Sequence, residues 1–213
     1  MCDNEYPDLS TLQVCFAHVA YDFIDAFAGR NTGVRSFQVK TFEELEKCIS
    51  KIDVLVISGL WENRLLQFTK KLKLVQSISA GMDQFDNDMF REAGVRLASA
   101  RGVNASAVSE HVMGLILSLT RQLYHARDHQ NECQWKPMIG DRMARQDQVQ
   151  GKVMLIIGLG DIGKRVAKLA KAFEMKVLAI RKSVKKDEGL VNSVYGISHL
   201  PKLLSDADFV VLT

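Results

Sequence analysis

The chain has no excess charge of one sign: 28 basic and 25 acidic residues are mixed along its 213 residues, for a formal net charge of +3. That balance excludes a global nucleic-acid or membrane footprint, so any charge argument must be local. It also lacks CxxC spacing. Cys2, Cys15, Cys48 and Cys133 are scattered, a pattern that suits reduced thiols rather than a disulfide framework, and no metal site is expected. No apolar run approaches the roughly 18 residues of a membrane span, and the opening MCDNEYPDLS is acidic and polar rather than basic then apolar. A soluble, cytoplasmic protein is expected. Fixed-period repeats and low-complexity stretches are missing too, which excludes solenoids and tails.

What is present is a hydrophobic fraction of 47%, enough for one sizeable core or two modest ones. From Leu12 to Ala100, short β-rich runs (LQVCFAHVA, VRSFQVK, DVLVISG, LKLVQSISA, VRLASA) alternate with helical stretches. This βαβ rhythm predicts five parallel strands with helices on both faces. Thr41 and Glu44 have capping-box spacing, and Leu65, Leu66 and Leu72 could line a third helix within WENRLLQFTKKL. Next, Asn104 is placed to cap a helix running to about Tyr124, in which Val108, Val112, Leu115, Leu119 and Leu123 recur at helical spacing. Such a helix would span roughly 30 Å, long enough to leave one domain and enter another, so the boundary is set near Gly102. A second alternating series follows: strand 152–157, helix 162–173, strand 176–180, a weak strand near Val194, helix 200–204 and strand 209–213.

The most informative segment is KVMLIIGLGDIGKRVAKLAKAFEMKVLAIRKS. Gly158, Gly160 and Gly163 fall in GxGxxG spacing between an apolar strand and an amphipathic helix, with a second strand after it, which is the context of a dinucleotide fingerprint. Gly158 would permit the tight turn, Gly160 the approach of a pyrophosphate and Gly163 close helix–strand packing. Leu159, Asp161 and Ile162 complete the cofactor-binding turn at the helix N-terminus, where unpaired amides and the macrodipole favour phosphate. The bland alternative is a glycine turn that only reverses the chain. An NAD binder normally ends its second strand on a carboxylate that takes the ribose hydroxyl; here Arg181, Lys182 and Ser183 stand in that region, donors suited to a 2′-phosphate. NADP(H) is therefore expected over NAD(H), although Lys185 and Lys186 extend the run and would equally suit a solvated basic loop.

With the fingerprint, the stretches SISAGMDQFD, RGVNASAVSEHVMGLILSLTRQL and LLSDADFVVLT resemble the D-isomer-specific 2-hydroxyacid dehydrogenases over nearly the whole chain. The arginine at position 181 looks most like the NADPH-using glyoxylate and hydroxypyruvate reductases. The resemblance implies an α/β protein of two doubly wound parallel-sheet domains: a flavodoxin-like substrate domain (1–102) and an incomplete Rossmann nucleotide-binding domain (103–213) that begins with the interdomain helix. It implies reversible hydride transfer between nicotinamide C4 and C2 of a small 2-oxo or D-2-hydroxy acid, and a homodimer at full length. SISAGMD also lies at the carboxyl end of a strand, where open α/β sheets place ligands. The backbone amides of Ala80 and Gly81 are the substrate-carboxylate contacts that the likeness carries over; an ordinary strand-to-helix turn is the alternative. Asp83 and Asp86 are expected to fix this loop and cap the next helix.

Glu110 and His111 are adjacent on a helix, about 100° apart, and cannot form a hydrogen-bonded dyad. His18, His125, His129 and His199 have no recognisable partner, Trp135 reads as interdomain packing, and Lys164, Lys168 and Lys171 read as solvated surface. In the relatives the Arg, Glu and His that stabilise alkoxide charge and exchange the proton come after the strand equivalent to DADFVVLT. No catalytic residue is therefore assigned in this chain, which alone is expected to be inactive, with two sheet strands missing and weak cofactor binding. A non-catalytic dinucleotide-binding or redox-sensing module is the alternative, and a functionless remnant a third reading.

Overall fold

The structure is a computed structural model in which residues 7–183 and 189–213 are described. The chain forms two compact units, Met1–Val103 and Asn104–Thr213. In the first, β1 (Gln13–Ala17), α1 (Ile24–Ala28), β2 (Arg35–Val39), α2 (Phe42–Cys48), β3 (Val54–Ile57), β4 (Leu74–Ser77), α3 (Asn87–Glu92) and β5 (Arg96–Ala98) follow one another. The strands form one parallel sheet in the order β2-β1-β3-β4-β5, the order of flavodoxin-like sheets. β1 is buried on both faces, as strands of a covered parallel sheet are. Cys15 and Ala17 join the core beneath Leu45 and Ile49, while Phe16 on the opposite face meets Phe27 of α1 at 5.3 Å between ring centroids.

The capping box forms as its spacing implies: the Glu44 amide donates to Thr41 Oγ1 at 3.2 Å and the Thr41 amide to Glu44 Oε2 at 3.3 Å. The third helix does not. Leu65, Leu66 and Leu72 are buried, but only Asn63–Phe68 is helical, and it is 3₁₀. The Thr69 hydroxyl donates to the Leu66 carbonyl at 2.8 Å, occupying the acceptor that a further turn would need, and the chain extends into β4.

The second unit contains α4 (Ala105–Thr120), α5 (Leu123–Asn131), β6 (Val153–Ile157), α6 (Asp161–Ala172), β7 (Lys176–Ile180), β8 (Ser193–Tyr195), α7 (Leu200–Asp206) and β9 (Phe209–Leu212). Its parallel sheet runs β8-β7-β6-β9, the 3-2-1-4 portion of a dinucleotide-binding sheet. Met113 and Ile116 of α4 share a core with Val166, Ala167 and Ala170 of α6 and with Met154 and Ile156 of the sheet.

The helix expected to run unbroken from Asn104 to about Tyr124 is interrupted. Gln122 adopts φ +49°, and the segment after α5 takes over the carbonyls that a continuing helix would use. The Asp147 amide donates to the Thr120 carbonyl at 2.9 Å and Gln146 Nε2 to the Arg121 carbonyl at 2.8 Å. Asn104 occupies the N-cap position of α4 without a side-chain cap bond. The apolar stripe is also displaced: α4 buries Ala105, Ser109, Met113, Ile116 and Thr120, leaving Leu115 and Leu119 exposed at 53% and 62%. Helix α4 is apolar on more than one face, and the face that packs into the core of its unit is the one carrying Met113 and Ile116.

Candidate functional site: two glycine loops at strand ends

In the second unit the GxGxxG segment joins β6 to α6, and its three glycines differ in what they meet. Gly158 has φ +102°, and a Cβ there would lie 2.1 Å from the Thr213 carbonyl oxygen. A Cβ on Gly163 would lie 2.2 Å from the Gly158 carbonyl oxygen and 2.9 Å from Thr213 Oγ1. Neither position admits a side chain. Gly160, the N-cap of α6, would meet nothing within 4 Å; the space above it is open. Lys164 makes the first intrahelical bond, its amide donating to the Gly160 carbonyl at 2.9 Å, and no side chain caps this end. Earlier amides of the turn are thus in position for an anion, as helix N-termini provide. Asp161 is exposed in the first turn, Ile162 is half-buried against the core, and the Leu159 side chain is buried in it. Leu159 therefore presents only backbone to the turn.

The end of β7 is tied to the same turn: the Gly158 amide donates to the Ile180 carbonyl at 2.9 Å. Arg181 follows directly, half-buried, with its amide bonded to the Tyr195 carbonyl at 3.1 Å. Its guanidinium has no hydrogen-bond or ion-pair partner among the described residues. Lys182 and Ser183 beside it are exposed, whereas Lys185 and Lys186 lie outside the described residues.

In the first unit the SISAGMD loop leaves β4. The amides of Ala80 and Gly81 donate to no protein group among the described residues. The loop is held by side chains instead. Ser77 Oγ, fully buried, accepts from the Ser79 amide at 3.1 Å, the Ser79 carbonyl accepts from the Ala100 amide at 3.1 Å, and the Ser58 and Ser79 hydroxyls meet at 2.9 Å. Asp86 caps α3, accepting from the Asp88 and Met89 amides. Asp83, expected to share in fixing the loop, makes no hydrogen bond among the described residues. Asn63 does that work: its Oδ1 accepts from the Asp86 amide at 3.0 Å and from Trp61 Nε1 at 2.9 Å, and its Nδ2 donates to the Gln84 carbonyl. Sequence reasoning missed Asn63 and the serines. The visible signal was the repeat of Ile-Ser at the ends of two neighbouring strands, VIS and SIS.

Glu110 and His111 are both exposed, in keeping with their rejection as a dyad. His18 is not without partners: its Nδ1 accepts from the Ala20 and Tyr21 amides at 3.1 and 2.8 Å and its ring stacks on Tyr21. Trp135, read as packing, is 95% exposed, because α5 ends at Asn131 and the chain that follows carries it away from the core of its unit. Lys164, Lys168 and Lys171 are exposed as expected. No cluster of metal-ligating side chains occurs among the described residues, and none of their helices is long and apolar enough to cross a membrane.

The family model for the D-isomer specific 2-hydroxyacid dehydrogenase NAD binding domain matches residues 113–213. A hydroxypyruvate reductase from Thermotoga maritima is 30% identical over 172 residues, 80% of this chain and 54% of that protein. Residues 113–213 thus match the NAD binding domain of the D-isomer-specific 2-hydroxyacid dehydrogenases, and the chain is similar to members of that family over most of its length. A glyoxylate reductase from Korarchaeum cryptofilum, 28% identical over 80% of this chain and 50% of its own length, is a further relative. The crystal structure of a D-isomer specific 2-hydroxyacid dehydrogenase family protein from Aeromonas salmonicida superposes with TM-score 0.78 at 26% identity, over 96% of this chain and 64% of that one. The chain thus spans about half the length of the curated dehydrogenases it matches. The NAD-binding assignment falls on the unit with the sterically closed glycine turn.

Proposed function

We propose that the chain carries the substrate-carboxylate loop and the dinucleotide turn of a reductase that converts a small 2-oxo acid, such as glyoxylate or hydroxypyruvate, to the D-2-hydroxy acid, with NADP(H) preferred. Residues 1–102 form the substrate domain and 103–213 the nucleotide-binding domain. The observation that carries this reading is the glycine turn: two glycines that no side chain can replace, an open third, and at the adjacent strand end an arginine whose guanidinium has no partner among the described residues. Gly160, Asp161, Ile162 and Gly163 offer the pyrophosphate backbone amides. Arg181, with Lys182 and Ser183, offers charge-assisted hydrogen bonds to a 2′-phosphate. The bound nicotinamide supplies or accepts the hydride.

The amides of Ala80 and Gly81 orient the acid by its carboxylate. Alkoxide charge developing at C2 needs a cation and a proton donor, and we assign neither to these 213 residues, so the chain alone binds but does not turn over. The names of the two relatives support the substrate class. The exposed face of α4, with Leu115, Leu119 and the neighbouring Leu123, supports a homodimer in which a second copy covers it. A cytoplasmic location fits the same reading. Isothermal titration of the chain with NADPH and NADH tests it: NADPH is expected to bind at least about tenfold more tightly, and absence of binding by either dinucleotide sinks the proposal. The companion measurement is absorbance at 340 nm with glyoxylate or hydroxypyruvate; sustained NADPH oxidation would overturn the assignment of inactivity to the chain alone.

A further inference from the structure

Ser58 follows β3 and Ser79 follows β4, neighbouring parallel strands in which Ile57 lies beside Ser77. Their hydroxyl oxygens are 2.9 Å apart and half-buried, and either atom can be the donor. Each hydroxyl carries one proton, so the pair holds two and their mutual bond uses one. The second proton has no acceptor among the described residues: neither hydroxyl enters another hydrogen bond, and no carboxylate is bonded to the pair. The backbone of Ser79 is meanwhile fixed on both sides, its amide to Ser77 Oγ and its carbonyl to the Ala100 amide. Ser79 is followed directly in the chain by Ala80 and Gly81, whose backbone amides also donate to no protein group among the described residues.

We infer that the Ser58–Ser79 hydroxyl pair is a third hydrogen-bond donor of this loop, giving its spare proton to the carboxylate of the bound 2-oxo acid. The inference rests on the reading of Ala80 and Gly81 as carboxylate donors and extends it to two side chains. The loop thus offers three donors, the hydroxyl pair and the amides of Ala80 and Gly81, and none of them is taken by the one carboxylate near Gly81, that of Asp83. Three donors match an ionised carboxylate, which only accepts and has about four lone-pair sites. A neutral carboxamide would set its own N–H₂ group against donors and is rejected. Hydrogen bonds to a charged group are the strong class, so removing this one costs affinity for anionic acids specifically. The two hydroxyls are unequal. Without Ser58, Ser79 keeps a proton to give; without Ser79, the hydroxyl nearest Ala80 is gone.

The test is a titration of the 213-residue chain with oxalate, a carboxylate mimic of a 2-oxo acid, at fixed ionic strength, followed by amide ¹H–¹⁵N spectra. In the unsubstituted chain the Ala80 and Gly81 resonances are expected to shift on binding. The S58A/S79A double variant is expected to lose about tenfold or more in oxalate affinity, S79A most of that, S58A less, and S79T little because it keeps the hydroxyl. NADPH affinity should be unchanged throughout, which a general loosening of the fold would not allow. Unchanged oxalate affinity in the double variant, with Ala80 and Gly81 still responding, overturns the hydroxyl pair while sparing the carboxylate loop. Silence of Ala80 and Gly81 in the unsubstituted chain overturns both.

Discussion

The two units solve one problem in different ways. Each is a parallel α/β sheet with a glycine-containing loop at the carboxyl edge of its strands, the place where open α/β sheets receive ligands. In the second unit the loop is held by exclusion: the Gly158 and Gly163 positions leave no room for a Cβ. In the first it is held by side chains, through Ser58, Ser77, Ser79 and Asn63, while Gly81 is roomy, its nearest neighbour to a Cβ being Asp83 Oδ2 at 3.7 Å. The pyrophosphate proposed for the second loop is large and must approach backbone closely, which suits a loop stripped of side chains. The carboxylate proposed for the first is small, and a loop that receives it can use them.

That contrast breaks most sharply at Gly158. G158A is expected to lower the unfolding free energy by about 3 kcal/mol, because the methyl must displace the backbone of Thr213 as well as adopt an unfavourable φ; chemical denaturation measures it, and a loss below about 1 kcal/mol would show that the turn is not sterically closed. Arg181 probes charge instead of shape. R181D is expected to shift the NADPH-to-NADH affinity ratio about hundredfold toward NADH, roughly 2.7 kcal/mol, with little change in stability; titration calorimetry reads the ratio. Asn63 sharpens the other side of the comparison. N63A removes three hydrogen bonds, two of which pin the loop after β4, and a loss of about 1.5 kcal/mol is expected in the same denaturation experiment. The smallest effect belongs to Gly81: G81A should stay within about 0.5 kcal/mol of the parent chain, and a cost like that of G158A would erase the distinction between the loops.

Much of this was legible beforehand, and the reason is local. Strands β1 to β5 and β6 to β9 are short apolar runs bounded by polar turns, Thr41 and Glu44 are three apart, and the GxGxxG glycines sit where strand becomes helix; each signal lies within a few residues of what it specifies. Several failures are long-range, whereas the loss of the third helix to the Thr69–Leu66 bond and the partners of His18 are local. The break after Thr120 depends on Gln146 and Asp147 capturing helix carbonyls from more than twenty residues away, and nothing near Gln122 announces it. The buried face of α4 was misread because the helix carries two stripes at helical spacing, one with Leu115 and Leu119 and one with Ala105, Ser109, Met113, Ile116 and Thr120, and only contact with α6 and the sheet selects the second. Asn63 was invisible for the same reason, since its partners Gln84 and Asp86 lie in another loop.

The closeness of Thr213 to the glycine turn also bears on the order of folding. Thr213 donates through its hydroxyl to the Gly158 carbonyl, 55 residues earlier in sequence, and through its amide to the Ile157 carbonyl. The turn reaches its final shape only when β9 has docked beside β6, a loop closure that local helix formation does not need. Helix α6 can form early, yet the geometry that receives a dinucleotide is completed late. In a refolding experiment, recovery of NADPH binding should therefore lag behind recovery of helical circular dichroism.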